Sequence, residues 1–204
     1  MTEYTPPEIL TNIAKIKFKR TMVPIGIVII GLILQQGYHL ASARYLSIIA
    51  LIYYLLLLLI FRINRTTSRP ERGTLISPIN GKVKEIRNDD YEQVIIIKKN
   101  FYHPADIRLS ALADVSSEID TGNNASQWLK KSKLTFTNGE EKVSWSIRGS
   151  SIYFFPEARR IKGGLTAILP GSGICTYRLS DQYRLNINTG DKLEAGTSII
   201  GSRE

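Results

Sequence analysis

Few residues in this chain are equipped for acid, base or nucleophilic chemistry, and those few are scattered. There are two histidines, His39 and His103, and a single cysteine, Cys175. One cysteine excludes an intramolecular disulfide and any metal site built from several thiolates, so Cys175 reads as a small buried residue and no metal is expected. Three Gly-Ser pairs offer a hydroxyl after a flexible residue: Gly149-Ser150, Gly171-Ser172 and Gly201-Ser202. The first two read as turns. Positive charge is what the chain has in quantity, with a formal net charge of +9. Arg62, Arg65, Arg69 and Arg72 form a basic collar, Arg108 stands alone, and Arg159-Arg160 with Lys162 forms a further cluster. Guanidinium groups and turn amides are phosphate-binding chemistry, which points to Asn80, Arg108 and the collar as headgroup or membrane-surface contacts. A solvated collar that only orients an anchor is the plainer alternative, and Arg159-Arg160 could meet a partner or the membrane surface.

Asn80 lies in the stretch that must position this chemistry, T-L-I-S-P-I-N-G-K-V-K-E-I from Thr74 to Ile86. Pro78 fixes its own φ, and Asn80-Gly81 tolerates the positive φ of a tight turn. Period-two alternation then predicts a partly buried strand, with Val83, Glu85 and Arg87 on one face and Lys82, Lys84 and Ile86 on the other. Further strands are predicted over Val94–Lys98, Ile107–Ala113, Lys133–Phe136, Val143–Ile147, Ser151–Phe155, Tyr183–Ile187 and Thr197–Ile200. Asn138-Gly139 is a hairpin signal. Gly163-Gly164, Pro170-Gly171-Ser172-Gly173 and Asn188–Lys192 are turns, and only Ala125–Lys131 suggests a helical turn. Short strands at short intervals predict an all-β sandwich or barrel rather than a parallel α/β sheet.

The elements before Arg62 are membrane-seeking. Apolar residues make up 43% of the chain, and their excess lies between Thr21 and Phe61. Met22–Leu34 and Tyr45–Phe61 carry no charge, and with its edges each run reaches roughly 25 Å as a helix, just short of the hydrocarbon thickness. Lys15, Lys17, Lys19 and Arg20 precede them and the arginine collar follows, so the charge reads as membrane flanks and not as a nucleic-acid groove. The simplest organisation is a basic N-terminal arm over 1–20, amphipathic or flexible, a transmembrane two-helix hairpin over 21–61, and a β domain over 62–204. The positive-inside rule puts the N-terminus and the β domain on the cytoplasmic side of an inner or cytoplasmic membrane. A cleaved signal peptide ending at Ala41-Ser42-Ala43 and a re-entrant hairpin are the competing readings.

Two glycine-bearing motifs balance one another, Ser77-Pro78-Ile79-Asn80-Gly81-Lys82-Val83 early and Gly190-Asp191-Lys192-Leu193-Glu194-Ala195-Gly196 late. That balance resembles the barrel-sandwich modules of lipoyl and biotinyl type, although no lysine occupies a carrier hairpin; Lys82, Lys84 and Lys192 read as solvent-facing cations. Phe61-Arg62-Ile63-Asn64-Arg65 and Phe101-Tyr102-His103-Pro104-Ala105-Asp106-Ile107-Arg108 complete an ordered set that resembles the small, membrane-anchored form of phosphatidylserine decarboxylase. The resemblance implies a barrel-sandwich-type all-β domain behind the membrane hairpin. It further implies an activated serine that cleaves its own chain and becomes a pyruvoyl group.

Residue by residue, the requirements of that reaction are not met. The family's aspartate falls on Asn80, which carries no charge, and its histidine falls on Arg108, which cannot act as a base. His103 lies five residues before the expected position. Gly201-Ser202 mimics the cleavage pair, yet the sequence stops at Glu204. The expectation is therefore a catalytically inactive, decarboxylase-like membrane protein without a cofactor, serving as a lipid-binding or assembly subunit of a membrane complex. Its partners would be membrane phospholipid and other membrane proteins, not nucleic acid. The alternative is a divergent, pyruvoyl-dependent phosphatidylserine decarboxylase, or its long chain with the pyruvoyl-bearing piece encoded separately.

Overall fold

The computed structural model describes residues 7–38, 41–64, 73–89, 92–111, 114–119, 132–138, 142–149, 151–155 and 162–203. Two units divide at the Phe61/Arg62 junction, the first spanning Pro7–Phe61 and the second built on Arg62–Glu204.

The first unit holds two helices, α1 (Pro7–Tyr38) and α2 (Ala41–Ile60). Residues 7–20, expected as a separate arm, are continuous with the first apolar run in one helix. Pro24 lies inside α1 and removes an amide donor from it; one turn earlier the Thr21 hydroxyl donates to the carbonyls of Lys17 and Phe18 at 3.0 and 3.1 Å. The helices pack through small side chains. A methyl group at Gly31 would sit 2.1 Å from Ser47 Oγ and 3.2 Å from the Ala43 carbonyl, and Ser47 Oγ donates back to that carbonyl at 3.0 Å. Large apolar side chains turn outward, among them Val23, Ile30, Ile33, Ile49 and Leu55. Apolar surface of this extent is rare on a water-soluble monomer. Among the described residues, Ser42–Ile60 is the one helical stretch long and apolar enough to cross a membrane, with 19 residues at a mean hydropathy of 2.2. Two such spans were expected; α1 does not supply the other.

The second unit is built of strands. In chain order they are β1 (Thr74–Ile76), β2 (Gly81–Asp89), β3 (Glu92–Lys99), β4 (Asp106–Arg108), β5 (Asp114–Ile119), β6 (Ser132–Asn138) and β7 (Val143–Gly149). Then come β8 (Tyr153–Phe154), β9 (Leu165–Ile168), β10 (Gly173–Ser180), β11 (Tyr183–Leu185), β12 (Lys192–Leu193) and β13 (Ile199–Arg203). They form a curled seven-stranded sheet ordered β12-β2-β3-β10-β7-β6-β5 and two three-stranded sheets, β1-β13-β11 and β4-β9-β8. Every pairing is antiparallel.

Register fills the core in rows. Val83, Ile97, Cys175, Ile147 and Leu134 lie opposite one another across five strands, and Ile86, Ile95, Tyr177, Trp145 and Phe136 form the next row. In the second row Trp145 is stacked between Phe136 and Tyr177 at centroid distances of 5.1 and 5.4 Å, each contact contributing about 0.5–1.5 kcal/mol beyond burial. Ser110 binds the sheets together: its hydroxyl donates to the Ile76 carbonyl of β1 and accepts from the Tyr177 hydroxyl of β10.

Two local expectations need correction. The ladder slips between Val83 and Glu85, so Lys84 is a bulge residue, and Val83 and Ile86 face the same core although three positions apart. Strict alternation had put them on opposite faces. Nor is Gly81 a left-handed turn residue, since positive φ occurs at Gly73, Gly163, Gly190 and Gly196. Gly81 is needed for close approach: a methyl group there would lie 2.6 Å from the Lys98 carbonyl and 2.9 Å from Ile97 Cγ2.

Candidate functional site

The early and late motifs meet. Gly81 and Lys82 pair with Leu193 and Lys192, Val83 N–H donates to the Asp191 carbonyl, and Gly190 and Gly196 N–H groups donate to the carbonyls of Val83 and Ser77, all at 2.9 Å. Left-handed φ values of 98° at Gly190 and 74° at Gly196 bend the late motif around this contact. The bend at Pro78 to Asn80 is fixed against β4, with Ile79 bridged to Ile107 and Arg108 N–H bonded to the Pro78 carbonyl at 2.8 Å. Asn80 is thereby delivered to the side chains of β4.

A polar network results that is buried apart from the half-buried Asn64. Asn80 Nδ2 donates to Asp106 Oδ1 at 2.7 Å and to the Pro104 carbonyl at 3.3 Å, while its Oδ1 accepts from Ala195 N–H at 3.1 Å and Asn64 Nδ2 at 3.3 Å. Arg108 Nε donates to Asp106 Oδ2 at 3.0 Å, closing an ion pair whose side chains are 1% and 0% exposed. The remaining guanidinium nitrogens go to the Gly163 carbonyl at 3.0 Å and the Asn64 carbonyl at 2.5 Å. Asn64 N–H reaches Asp106 Oδ1 at 3.4 Å. One carboxylate and one guanidinium neutralise each other, and each guanidinium nitrogen has an oxygen partner. Such a network ties five segments, at Asn64, Asn80, Pro104–Arg108, Gly163 and Ala195, into one geometry. Neither Asn80 nor Arg108 can serve there as a base, because an amide and a guanidinium offer no lone pair that takes up a proton.

Asn80 and Arg108, named from the sequence, are thus brought together, with Asp106 between them. Inside the protein and occupied, they present no donor to a phosphate. Gly201 and Ser202 do not join them. Both lie in β13, the middle strand of its sheet, with Gly201 opposite Leu75 and Leu185 and Ser202 opposite Thr74 and Arg184. Arg62 is exposed, and its carbonyl accepts from Ala105 N–H at 2.6 Å. Arg65, Arg69, Arg72, His39, Ser150, Arg159 and Arg160 fall outside the described residues, as do Gly139 and the stretch 125–131. Lys162 donates to Thr74 Oγ1 at 3.3 Å.

His103 sits in the loop before β4, its Nδ1 accepting from Asn100 N–H at 3.3 Å. Desolvation, aided by the charges of Lys99 and Lys192, pulls its pKa below the ordinary value. Cys175 is buried in the core, and that burial drives its thiol pKa upward, so it is an inert packing group. Asn64 and Lys99 were not anticipated from the sequence. Lys99 is buried, and its ammonium donates to the carbonyls of Gly171 at 2.9 Å, His103 at 3.1 Å and Asn100 at 3.3 Å. Desolvation lowers its pKa to about 8 despite attraction from Asp106. Its burial could have been suspected only from period two, because Lys99 follows Ile95 and Ile97 on the inward face.

Among the described residues there is no group of three histidine, cysteine or acidic side chains able to hold a metal ion. No family model matches the chain, and neither a curated protein nor a solved structure is significantly similar to it.

Proposed function

We propose that this chain is a membrane-anchored protein of phosphatidylserine decarboxylase type that does not catalyse the reaction and serves as a lipid-binding or assembly subunit of a membrane complex. One observation carries this reading. The positions where the resembled family places an acid and a base, Asn80 and Arg108, hold an amide and a guanidinium, neither able to take a proton, and both are bonded to the Asp106 carboxylate, which is committed to the Arg108 ion pair. The meeting of the Ser77–Val83 and Gly190–Gly196 motifs supports a domain of barrel-sandwich kind. The outward apolar surfaces of α1 and α2 support a membrane hairpin, and the cations flanking it support a cytoplasmic location for the N-terminus and the β domain. Gly201-Ser202 in a strand paired on both sides is a poor setting for self-cleavage, since the attacked carbonyl must be free to change geometry.

Intact-mass measurement of the purified chain tests the reading. A single full-length species is expected, and membranes carrying only this protein should not convert phosphatidylserine to phosphatidylethanolamine. A break at Gly201 leaving a pyruvoyl-blocked fragment, or turnover by those membranes, would establish the divergent enzyme instead.

A further inference from the structure

The outer face of the seven-stranded sheet carries a run of cations in register. Register aligns Lys192, Lys82, Lys98, Ile174, Arg148 and Lys133 in one row across β12, β2, β3, β10, β7 and β6. At about 4.8 Å per strand the row is roughly 24 Å long. Lys82 directly faces both Lys192 and Lys98, and Arg148 faces Lys133, which has Glu118 of β5 on its other side. Like charges set opposite each other weaken a sheet, so the row opposes the stability of the sheet that carries it. Four residues along β10, Arg178 stands opposite Ser144. Between these two rows run the hydroxyls of Thr176, Ser146 and Thr135.

This surface is concave. Lys98, Lys133, Arg148, Arg178 and the hydroxyl row line a groove of about 980 Å³. A hollow of about 320 Å³ over Lys82 and Lys84 adjoins it at Lys98. No acidic side chain lines either one among the described residues. Cations around a row of hydroxyl donors are the chemistry of a phosphate site. Ile174, 45% exposed, stands within the cation row, as suits a ligand with an apolar part beside its phosphate. Among the described residues the one aromatic along the groove is Trp145, 1% exposed, which offers no platform for stacking nucleic-acid bases.

We propose that this face binds the phosphate headgroups of anionic phospholipids in the membrane to which the chain is anchored. The inference rests on the membrane attachment proposed above and not on the decarboxylase resemblance. The β unit begins at Arg62, the residue after the helical unit ends, so lipids of the anchoring membrane are held at high effective concentration.

The test places the full chain in nanodiscs of pure phosphatidylcholine, or of phosphatidylcholine with one third phosphatidylglycerol, and follows lysine acetylation by mass spectrometry. Lys82, Lys98 and Lys192 are expected to react about fivefold more slowly in the anionic discs, with the exposed Lys142 unchanged and the difference abolished at high salt. The variant Lys98→Gln/Arg148→Gln/Arg178→Gln should lose protection of Lys82 and Lys192 while melting as the parent does. Equal rates in the two discs, or uniform slowing that includes Lys142, overturns the proposal. Protection by inorganic phosphate in neutral discs would reassign the groove to a soluble anion, and protection by an oligonucleotide to nucleic acid; either outcome overturns it. Failure of the chain to enter neutral discs, read separately by flotation, refutes the anchoring itself.

Discussion

Removing both members of the buried ion pair should cost clearly less than the two single losses added together. In Arg108→Met the Asp106 carboxylate keeps Asn80 Nδ2 at 2.7 Å but loses its counter-charge, and the carbonyls of Gly163 and Asn64 lose their donors. Breaking a fully buried pair from one side costs about 3–5 kcal/mol, a large part of the ~5–15 kcal/mol that a domain possesses. In a unit the size of Arg62–Glu204 each kcal/mol moves the midpoint by about 3–5 °C, so a fall of roughly 10–20 °C is expected. Asp106→Asn should fall less, because an amide oxygen can still accept from Asn80. In the double variant no charge is left buried and unpaired, so its loss should be smaller than the sum of the two single losses by about 2 kcal/mol. The measurement is thermal unfolding of the full chain in neutral detergent, followed through the near-ultraviolet dichroism of the Phe136–Trp145–Tyr177 stack. Single losses below about 1 kcal/mol that simply add would refute the claim that these groups form one buried network.

Three further outcomes follow from the same geometry. Asn80→Asp would set a second carboxylate against Asp106 and lose the amide donor, destabilising the fold by about 2–5 kcal/mol by melting; combined with Arg108→His it should still give no decarboxylation, and turnover by that double variant would contradict the structural role. Gly81→Ala should lower stability by about 1–3 kcal/mol through contact with the Lys98 carbonyl, visible as faster amide exchange in β2 and β3, whereas unchanged exchange would mean that the strands are further apart. Because burial depresses the Lys99 pKa from 10.5 to about 8, the unfolded chain binds more protons between these values, and the Lys99 contribution to stability should rise with pH from 8 to 10.5 and be lost as pH falls through 8. Lys99→Met should flatten that slope in denaturant titrations, and an identical slope in the variant would assign it to other groups.

Much of the architecture could be read from residue order because it rests on runs and punctuation. The uncharged stretch from Tyr45 to Phe61 announced α2, and the β-branched run around Val94–Lys98 announced β3. The turn read at Asn188–Lys192 is one that the structure makes with positive φ at Gly190. What escaped depends on register, which a linear pattern does not carry. One extra residue at Lys84 reverses the alternation after it. β5, with the sequence D-V-S-S-E-I, has weak strand propensity and is held at the sheet edge by pairing with β6. Asn80 and Arg108 were visible as departures from a motif. Their common partner Asp106, and Asn64 from 42 positions upstream of it, became meaningful only when the fold brought them into contact. The cations of the outer face are scattered through the sequence and form a row only through strand pairing.

The position of β13 between β1 and β11 also sets a clock on biosynthesis. Leu75 and Ile76, apolar and buried in the finished protein, take as partners Gly201 and Ile199. At ~5–20 residues per second, β1 leaves the ribosome on the order of ten seconds before the strand that covers it. Throughout that interval α2 has already been synthesised, while an uncovered edge with two large aliphatic side chains waits beside it in the nascent chain. Early capture of the helices by a membrane would keep neighbouring nascent copies apart during the wait, so delayed membrane insertion should appear first as aggregation through β1.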